Sequence, residues 1–66
     1  MSKVIRGGFL ELRKVGNNYY DVFFQTKRLG IISYNRKNDD AKVIHYCEFQ
    51  RDILQKLLPS IASLLS

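Results

Sequence analysis

The sequence predicts an α+β fold, in which a three- to four-stranded antiparallel meander is followed by one C-terminal helix. Three observations support this prediction: apolar residues alternate with period two from residue 9, clusters of Gly, Asn and Asp interrupt that alternation, and the apolar spacing changes to three and four residues after residue 50. We therefore place the sheet at about residues 9–47 and the helix at about residues 50–65, within a single domain spanning residues 1–66.

The first predicted strand alternates cleanly between apolar and charged residues. Leu10 and Leu12 point to one face, whereas Glu11 and Arg13 point to the other, as expected for a half-buried strand. Gly16-Asn17-Asn18 follows, and Gly and Asn tolerate the positive φ angles that hairpin connections need. We therefore expect a tight turn there.

The second predicted strand covers residues 19–26, with Tyr20, Val22 and Phe24 on its core face. The next break in the pattern is weak. Residues 19–34 fit either one long bent strand or two strands with a corner or bulge at Gly30. We favour two strands, the later one spanning residues 29–34.

Residues 35–40 are polar and contain Asn and Asp, which favour a loop, and residues 42–47 predict a fourth strand. Pro59 interrupts the helical pattern that follows, because proline lacks an N–H and its ring opposes the carbonyl four residues earlier. We therefore expect the helix to be kinked or broken at Pro59.

The helix carries a wide apolar stripe in a very short chain. A 66-residue domain buries only about 60% of the surface that its unfolded chain exposes, and the single cysteine, Cys47, allows no internal disulfide. Association of two copies is the remaining means of supplementing the core, so we expect a homodimer through the helix. The alternative is that the stripe simply closes the core of one chain. The predicted dimer interface consists of Ile53, Leu54, Leu57, Leu58, Ile61, Leu64 and Leu65.

Basic charge is concentrated in the first part of the chain, interleaved with aromatic residues. Residues 1–37 contain eight Lys and Arg against two acids, whereas residues 38–66 contain three against four. Cations beside aromatic rings suit a phosphate backbone with unstacked bases, so we expect nucleic-acid binding, as single-stranded DNA or RNA held without base-specific readout. The predicted nucleic-acid-binding residues are Arg13, Lys14, Tyr19, Phe23, Lys27, Arg28, Tyr34, Arg36 and Lys37.

The order of the strands makes a prediction about where these cations gather. The turns that follow residues 15 and 34 should lie at the same end of a meander, which would bring two basic doublets, Arg13-Lys14 and Arg36-Lys37, together. Lys27-Arg28 would lie at the opposite end with Lys3 and Arg6. The alternative function is a small inhibitor or adaptor that uses the same cations to dock on an acidic protein surface.

No constellation in the sequence is typical of catalysis. His45 and Cys47 share one face of a predicted strand but have no third partner at a convincing spacing. We expect a binding protein rather than an enzyme, with no cofactor and no metal. The sequence shows neither a secretory signal nor a membrane-spanning stretch, and its lone thiol suits a reducing compartment, so we expect a soluble, cytoplasmic protein with no membrane partner.

The segment Val43 to Cys47, followed by Ile53 to Ile61, resembles the end of the single-stranded-DNA-binding transcriptional coactivator family. Members of that family are small dimers with a four-stranded sheet and a final helix. The family's Val/Ile-Asp-Ile-Arg strand core is matched loosely by Tyr20-Asp21-Val22-Phe23, and its Lys-Gly step before the last strand is absent around Ala41-Lys42. The resemblance implies a helix-mediated dimer whose strands face a single strand of DNA.

Overall fold

A computed structural model describes residues 4–66 as an antiparallel sheet with one helix packed on a single face. Its elements are β1 (Val4–Gly7), β2 (Leu10–Lys14), β3 (Tyr19–Phe24), β4 (Lys27–Asn35), β5 (Asp40–Tyr46) and α1 (Arg51–Leu65). The five strands lie side by side in chain order, so each strand is joined to its neighbour by a hairpin. The predicted α+β meander with a C-terminal helix is confirmed, with one strand more than expected.

The additional strand is β1, which precedes the region where we expected the sheet to begin. Gly8 and Phe9 form a two-residue connection between Gly7 and Leu10, and Gly8 has a φ of 60°. Glycine adopts this left-handed conformation without steric cost. Four residues are too few to show a convincing alternation, which explains why the pattern did not reveal β1.

The hairpin between β3 and β4 is shorter than predicted. Gln25 and Thr26 form its two-residue loop, with φ angles of 51° and 66°. Such loops usually contain Asn-Gly or a similar pair, so Gln-Thr carries no recognisable turn signal. The prediction that the strand continues through Thr26 was therefore wrong, and Lys27 and Arg28 belong to β4 rather than to a break between strands.

The favoured pair of strands and the expected irregularity at Gly30 are both present. Arg28 pairs with Phe23 and Gly30 pairs with Val22, so Leu29 is an extra residue in β4 at this point. Leu29 is buried in the core. Beyond this bulge, residues Gly30 to Ser33 of β4 pair one by one with Val22 to Tyr19 of β3.

The turn predicted at Gly16-Asn17-Asn18 is also present, although none of these residues has a positive φ. The backbone N–H of Val15 donates to the carbonyl of Tyr19 across the turn, at 3.0 Å. The turn therefore lies where glycine and asparagine indicated, but it does not use their tolerance of left-handed backbone.

Helix α1, the only helix in residues 4–66, is fifteen residues long and is too short to cross a membrane. It continues through Pro59, so the expected break is absent. Pro59 cannot donate to the carbonyl of Gln55, but both residues are exposed and water can hydrate that carbonyl. Leu54 and Ile61, on either side of the proline, are both buried against the sheet and hold the two halves of the helix in place.

The core lies between α1 and one face of the sheet. Its buried residues are Leu10, Leu12, Val22, Leu29, Ile32, Tyr34, Leu54, Ile61 and Leu65. The helix contacts β5, β4 and β1, so it crosses the sheet from one edge strand to the other. The predicted core face of β3 is confirmed, because Val22 is fully buried while Tyr20 and Phe24 pack against the core.

This core accounts for most of the predicted dimer interface. Leu54 and Ile61 are 0% exposed and Leu65 is 8% exposed, so these three residues are not available to a second copy. Three more residues of the predicted interface are partly buried and pack against the core: Leu57, Leu58 and Leu64. Only Ile53, at 43% exposure, lies largely outside it. The prediction was wrong for the buried residues because a five-stranded sheet is wider than the one we expected and needs the whole stripe to cover it.

Candidate nucleic-acid interface

The face of the sheet opposite α1 has no layer over it within residues 4–66, and we call it the open face. Side chains alternate along a strand, and Leu10 and Leu12 of β2 point into the core. Glu11 and Arg13 therefore point outward, onto the open face. The strand pairing then places side chains from four strands beside one another. The charged and aromatic residues that β1 to β4 place on the open face are Arg6, Glu11, Arg13, Tyr19, Asp21, Phe23 and Arg28. On β5, Lys42 pairs with Ser33 and lies on the same face.

Two rows of paired residues cross the open face from strand to strand. In the first row, Arg6 pairs with Glu11, Glu11 with Phe23, and Phe23 with Arg28. In the second row, Arg13 pairs with Asp21. Directly paired residues have their Cβ atoms about 4.5–5.5 Å apart, so charges and rings of adjacent strands interact.

Glu11 holds two arginines at once. Its Oε1 lies 3.1 Å from Arg6 Nε, and its Oε2 lies 2.7 Å from Arg13 Nε. The hydrogen bond from Arg13 is the main cause that lowers the pKa of Glu11 below its usual range, so the carboxylate stays charged at neutral pH. Both arginines use Nε in these contacts, which leaves their terminal Nη groups free to bind another anion.

Arg28 repeats the same arrangement on the neighbouring strands. Its Nε donates to Asp21 Oδ1 at 2.9 Å, and this hydrogen bond raises the pKa of Arg28 further above its already high value. The arginine side chains on the open face are 77%, 52% and 46% exposed for Arg6, Arg13 and Arg28, respectively. The two acids therefore orient the three guanidinium groups without covering them.

Aromatic surface lies next to these guanidinium groups. The Arg13 Cζ atom lies 4.6 Å from the centroid of the Phe23 ring, which is a cation–π arrangement. Tyr19 is exposed at the start of β3, and Phe9 is exposed in the hairpin before β2. A cleft of about 330 Å³ opens beside Phe9 and Phe23, lined by Arg6, Gly8, Phe9, Leu10, Glu11, Arg13, Phe23, Gln25 and Thr26. Its volume is in the range of small-molecule binding sites.

The structure brings together only some of the predicted nucleic-acid-binding residues. Arg13, Tyr19, Phe23 and Arg28 lie on the open face. Lys14 follows Arg13 directly and therefore lies on the opposite side of the sheet, where it pairs with Tyr20. Doublets within a strand are divided between two faces, so the prediction that both cations of Arg13-Lys14 serve one surface was wrong.

Tyr34 does not present its ring to a ligand. It is 4% exposed within the core, and its hydroxyl donates to Asp39 Oδ1 at 2.6 Å. Its expected role in base stacking was therefore wrong, because position 34 of β4 faces α1 rather than solvent. Lys27 is exposed and pairs with Phe24, which packs against the core, so Lys27 lies on the helix side of the sheet and not on the open face.

The predicted grouping of cations by sheet end holds only in part, because Arg13, expected beside Lys14, shares Glu11 with Arg6, which was expected at the other end. Lys14 and Arg36 line one depression at the turn end of β2 and β4, and Lys37 lies in the same exposed turn as Arg36. Arg6 lies in the same row as Arg28. Lys3, which we expected beside them, lies outside the described residues.

The predicted set of binding residues does not include three residues of the open face: Arg6, Glu11 and Asp21. Alternation placed Glu11 on the outward face of β2, but it did not indicate that Glu11 and Asp21 orient the arginines. The Arg6–Glu11 and Arg28–Asp21 pairs join neighbouring strands, so the pattern of a single strand could not reveal them. Within residues 4–66, no group of three His, Cys, Asp or Glu side chains is arranged to hold a metal, so His45 and Cys47 acquire no third partner there.

Comparison of the chain with protein-family models, with curated proteins and with solved structures found no match. The resemblance to the single-stranded-DNA-binding coactivators stays a prediction that depends on the residues quoted above.

Proposed function

We propose that this protein binds nucleic acid, as single-stranded DNA or RNA, on its open face and without base-specific readout. The observation that supports this proposal most directly is the guanidinium of Arg13 over the Phe23 ring, on a sheet surface that α1 leaves uncovered. Arg6 and Arg28 lie on either side of that pair, in the row that contains Phe23.

The chemistry of these groups matches the two parts of a nucleotide. Terminal guanidinium nitrogens form charge-assisted hydrogen bonds to phosphate oxygens, and a phenyl ring stacks on any base. Each stacked base contributes about 1–3 kcal/mol to binding of a single strand. A single strand suits this surface better than a duplex, because α1, the one helix among residues 4–66, carries just Arg51 and Lys56 as cations and lies on the other side of the sheet.

The two acids on the open face limit the strength of binding. Glu11 and Asp21 offset part of the charge of Arg6, Arg13 and Arg28, so the surface has a small positive excess rather than a dense basic patch. Three phosphate contacts on a single strand predict that log K falls by about 2 for each unit of log salt concentration. A steeper dependence would require further cations, such as Lys42 of β5.

The test is fluorescence anisotropy with a labelled oligonucleotide of about twelve bases, single-stranded or duplex, at about 50 and 200 mM salt. We expect the single strand to bind more tightly than the duplex. The variant Arg13→Gln should weaken binding by about tenfold, and Phe23→Ala by a similar factor, because each removes one of the two kinds of contact.

Arg51→Gln is the matched control, because it removes the same charge from the helix side of the molecule. If Arg51→Gln weakens binding as much as Arg13→Gln, the open face is not the site. If no binding occurs up to about 100 μM protein at low salt, the chain is not a nucleic-acid-binding protein, because even non-specific binders reach that range.

A small protein-binding inhibitor or adaptor is the second candidate function, favoured by apolar surface away from the open face. Phe49 is 89% exposed and has a φ of 66°, a strained conformation for a bulky residue. Three other exposed apolar residues lie in the edge strand β5 or the first turn of α1: Ile44, Tyr46 and Ile53. A protein partner would bury these anchors and meet the cations with an acidic surface.

We also propose a homodimer and a cytoplasmic location. A homodimer would have to use apolar surface that the core leaves exposed, of which Ile53 is the residue from the predicted interface. A cytoplasmic location agrees with the free thiol of Cys47, since reducing compartments keep thiols unpaired.

A further inference from the structure

A second concavity lies on the helix side of the sheet, at the end where the β2–β3 and β4–β5 turns meet. Its volume is about 190 Å³, and its lining is mainly polar. The polar residues that line it are Lys14, Asn17, Asn18, Tyr20, Tyr34 and Arg36, and the hydroxyl of Tyr34 is already bonded to Asp39. We call it the turn-end depression, and none of its lining residues belongs to the open face.

The fold brings these residues together from separate parts of the chain. Lys14 ends β2 and pairs with Tyr20 on β3. Arg36 is the first residue after β4, and the N–H of Tyr34 near that end donates to the carbonyl of Asn18 at 2.8 Å. That hydrogen bond ties the end of β4 to the β2–β3 turn, so both turns border the same depression.

The charges here differ from those on the open face. Arg6, Arg13 and Arg28 each contact a carboxylate, whereas neither Lys14 nor Arg36 forms an ion pair with any acid in residues 4–66. Asp39, in the same turn as Arg36, accepts a hydrogen bond from Tyr34 instead. Lys14 is also half-buried, which makes a missing counter-charge more costly than at a fully exposed position.

We propose that the turn-end depression binds an oxyanion of the phosphate class, either as inorganic phosphate or as the phosphate group of a monoester. Its lining supplies donors of the kinds that phosphate oxygens accept: an ammonium, a guanidinium fork, two amide NH₂ groups and a phenol hydroxyl. The volume equals that of about six water molecules at about 30 Å³ each, which is enough for a tetrahedral oxyanion and part of its ester group.

This site is separate from the nucleic-acid surface proposed above, and it uses Lys14 and Arg36 for a different ligand. The depression is also lined by Leu65, the last residue of α1, so Lys14 and Arg36 lie near the C-terminal end of that helix. The competing explanation for the two cations is therefore structural, because cations stabilise the negative end of a helix. The two explanations predict different effects of phosphate.

The experiment is a titration of the ¹⁵N-labelled protein with sodium phosphate at constant ionic strength, followed by two-dimensional NMR. We expect saturable shifts of the side-chain amide signals of Asn17 and Asn18. Arg36→Gln and Lys14→Gln should each raise the apparent Kd for phosphate by about tenfold, because each removes a charge-assisted hydrogen bond. A parallel titration with a nucleoside monophosphate distinguishes a monoester from the free ion by its lower Kd.

Lys56→Gln is the matched control, because it removes one charge from an exposed position on the middle of α1. Arg36 is exposed in a turn, so Arg36→Gln should fold even if Lys14→Gln does not. Shifts that increase linearly without saturation would overturn the proposal, as would equal Kd values for Arg36→Gln and the wild type. Arg13→Gln should leave phosphate binding unchanged, so failure of the nucleic-acid proposal is distinguishable from failure of this one.

Discussion

Of the four glycines, Gly30 leaves the least room for a side chain. It has a φ of 155°, and a Cβ atom placed there would collide with the backbone carbonyl of His45 on β5. The obstacle is backbone within a paired strand, so it cannot turn aside as a flexible side chain would. We predict that Gly30→Ala lowers the free energy of unfolding by about 3 kcal/mol or more, measured by urea denaturation.

Gly8→Ala is the matched control, because Gly8 also has a positive φ but has no heavy atom near the position of the added Cβ. Only the left-handed backbone penalty of about 1–2 kcal/mol applies there. Equal losses for the two variants would show that β4 and β5 are not in close contact at Gly30.

Tyr34 links stability to alkaline pH. Its hydroxyl donates to Asp39, and that hydrogen bond is the main cause that raises the pKa of Tyr34 above the ordinary value for tyrosine. A folded-state pKa above the unfolded value means that the associated stability is fully present below about pH 10 and is lost as pH rises through the folded pKa. We therefore predict that the protein loses stability above about pH 10 and that Tyr34→Phe reduces this loss.

The measurement is thermal unfolding across that pH range, together with the ultraviolet absorbance of phenolate. Of the four tyrosines in the sequence, Tyr34 should be a late one to ionise in the folded protein. If stability falls above about pH 10 by the same amount in Tyr34→Phe as in the wild type, Tyr34 is not the cause of the loss. Tyr20→Phe is the control, because Tyr20 also packs against the core but has no carboxylate partner among the hydrogen bonds of residues 4–66.

Helix α1 contains a proline in its interior. Pro59 lies at an exposed position, where it removes the hydrogen bond to the carbonyl of Gln55. Alanine would restore that bond and remove a penalty of about 3 kcal/mol, of which about 1 kcal/mol is offset by the greater freedom of the unfolded chain. We predict that Pro59→Ala raises the free energy of unfolding by about 2 kcal/mol.

Urea denaturation also checks this prediction. Ser60→Ala is the control, because Ser60 is exposed and follows the proline directly, so its substitution should change stability by less than about 0.5 kcal/mol. A decrease in stability for Pro59→Ala would show that α1 needs a bend at this point to cross the sheet.

Strand and helix types follow from local patterns, but their ends depend on turns that sequence signals describe unevenly. Gly16-Asn17-Asn18 marked one hairpin correctly, whereas Gln25 and Thr26 formed a two-residue hairpin with no marker. The reason is energetic. A chain adopts unfavourable φ angles at Gln and Thr when the pairing of the two long flanking strands more than offsets the local cost.

At the scale of the whole molecule, helix α1 covers a single hydrophobic core. We predict that Leu54→Ala lowers the free energy of unfolding by about 2–5 kcal/mol, because Leu54 is fully buried. Ile53→Ala, one residue earlier on the exposed side, should lower it by less than about 1 kcal/mol in a monomer.

Size-exclusion chromatography with light scattering, at several protein concentrations, tests the homodimer together with these variants. A dimer should appear in the wild type and be weakened by Ile53→Ala, because Ile53 is the member of the predicted interface that remains exposed. A wild-type protein that is monomeric at every concentration would contradict the dimer and leave the core assignment of Leu54 intact.

Much of this architecture could be read from the amino-acid sequence, because it depends on local periods. Alternation at Leu10 and Leu12 specified the inward face of β2, and three- and four-residue spacing from Ile53 specified α1. Basic charge in the first half and the absence of a second cysteine were also visible there.

Only the tertiary structure decided which charges share a surface. Arg13 and Lys14 are neighbours in the chain but lie on opposite faces, whereas Arg6, Glu11 and Arg28 come from three strands and meet in one row. The physical reason is the register between strands, which depends on the bulge at Leu29 and on two hairpins that residue types did not reveal. Side-chain pairing across a sheet is a non-local property, so it cannot be deduced from the periodicity of a single strand.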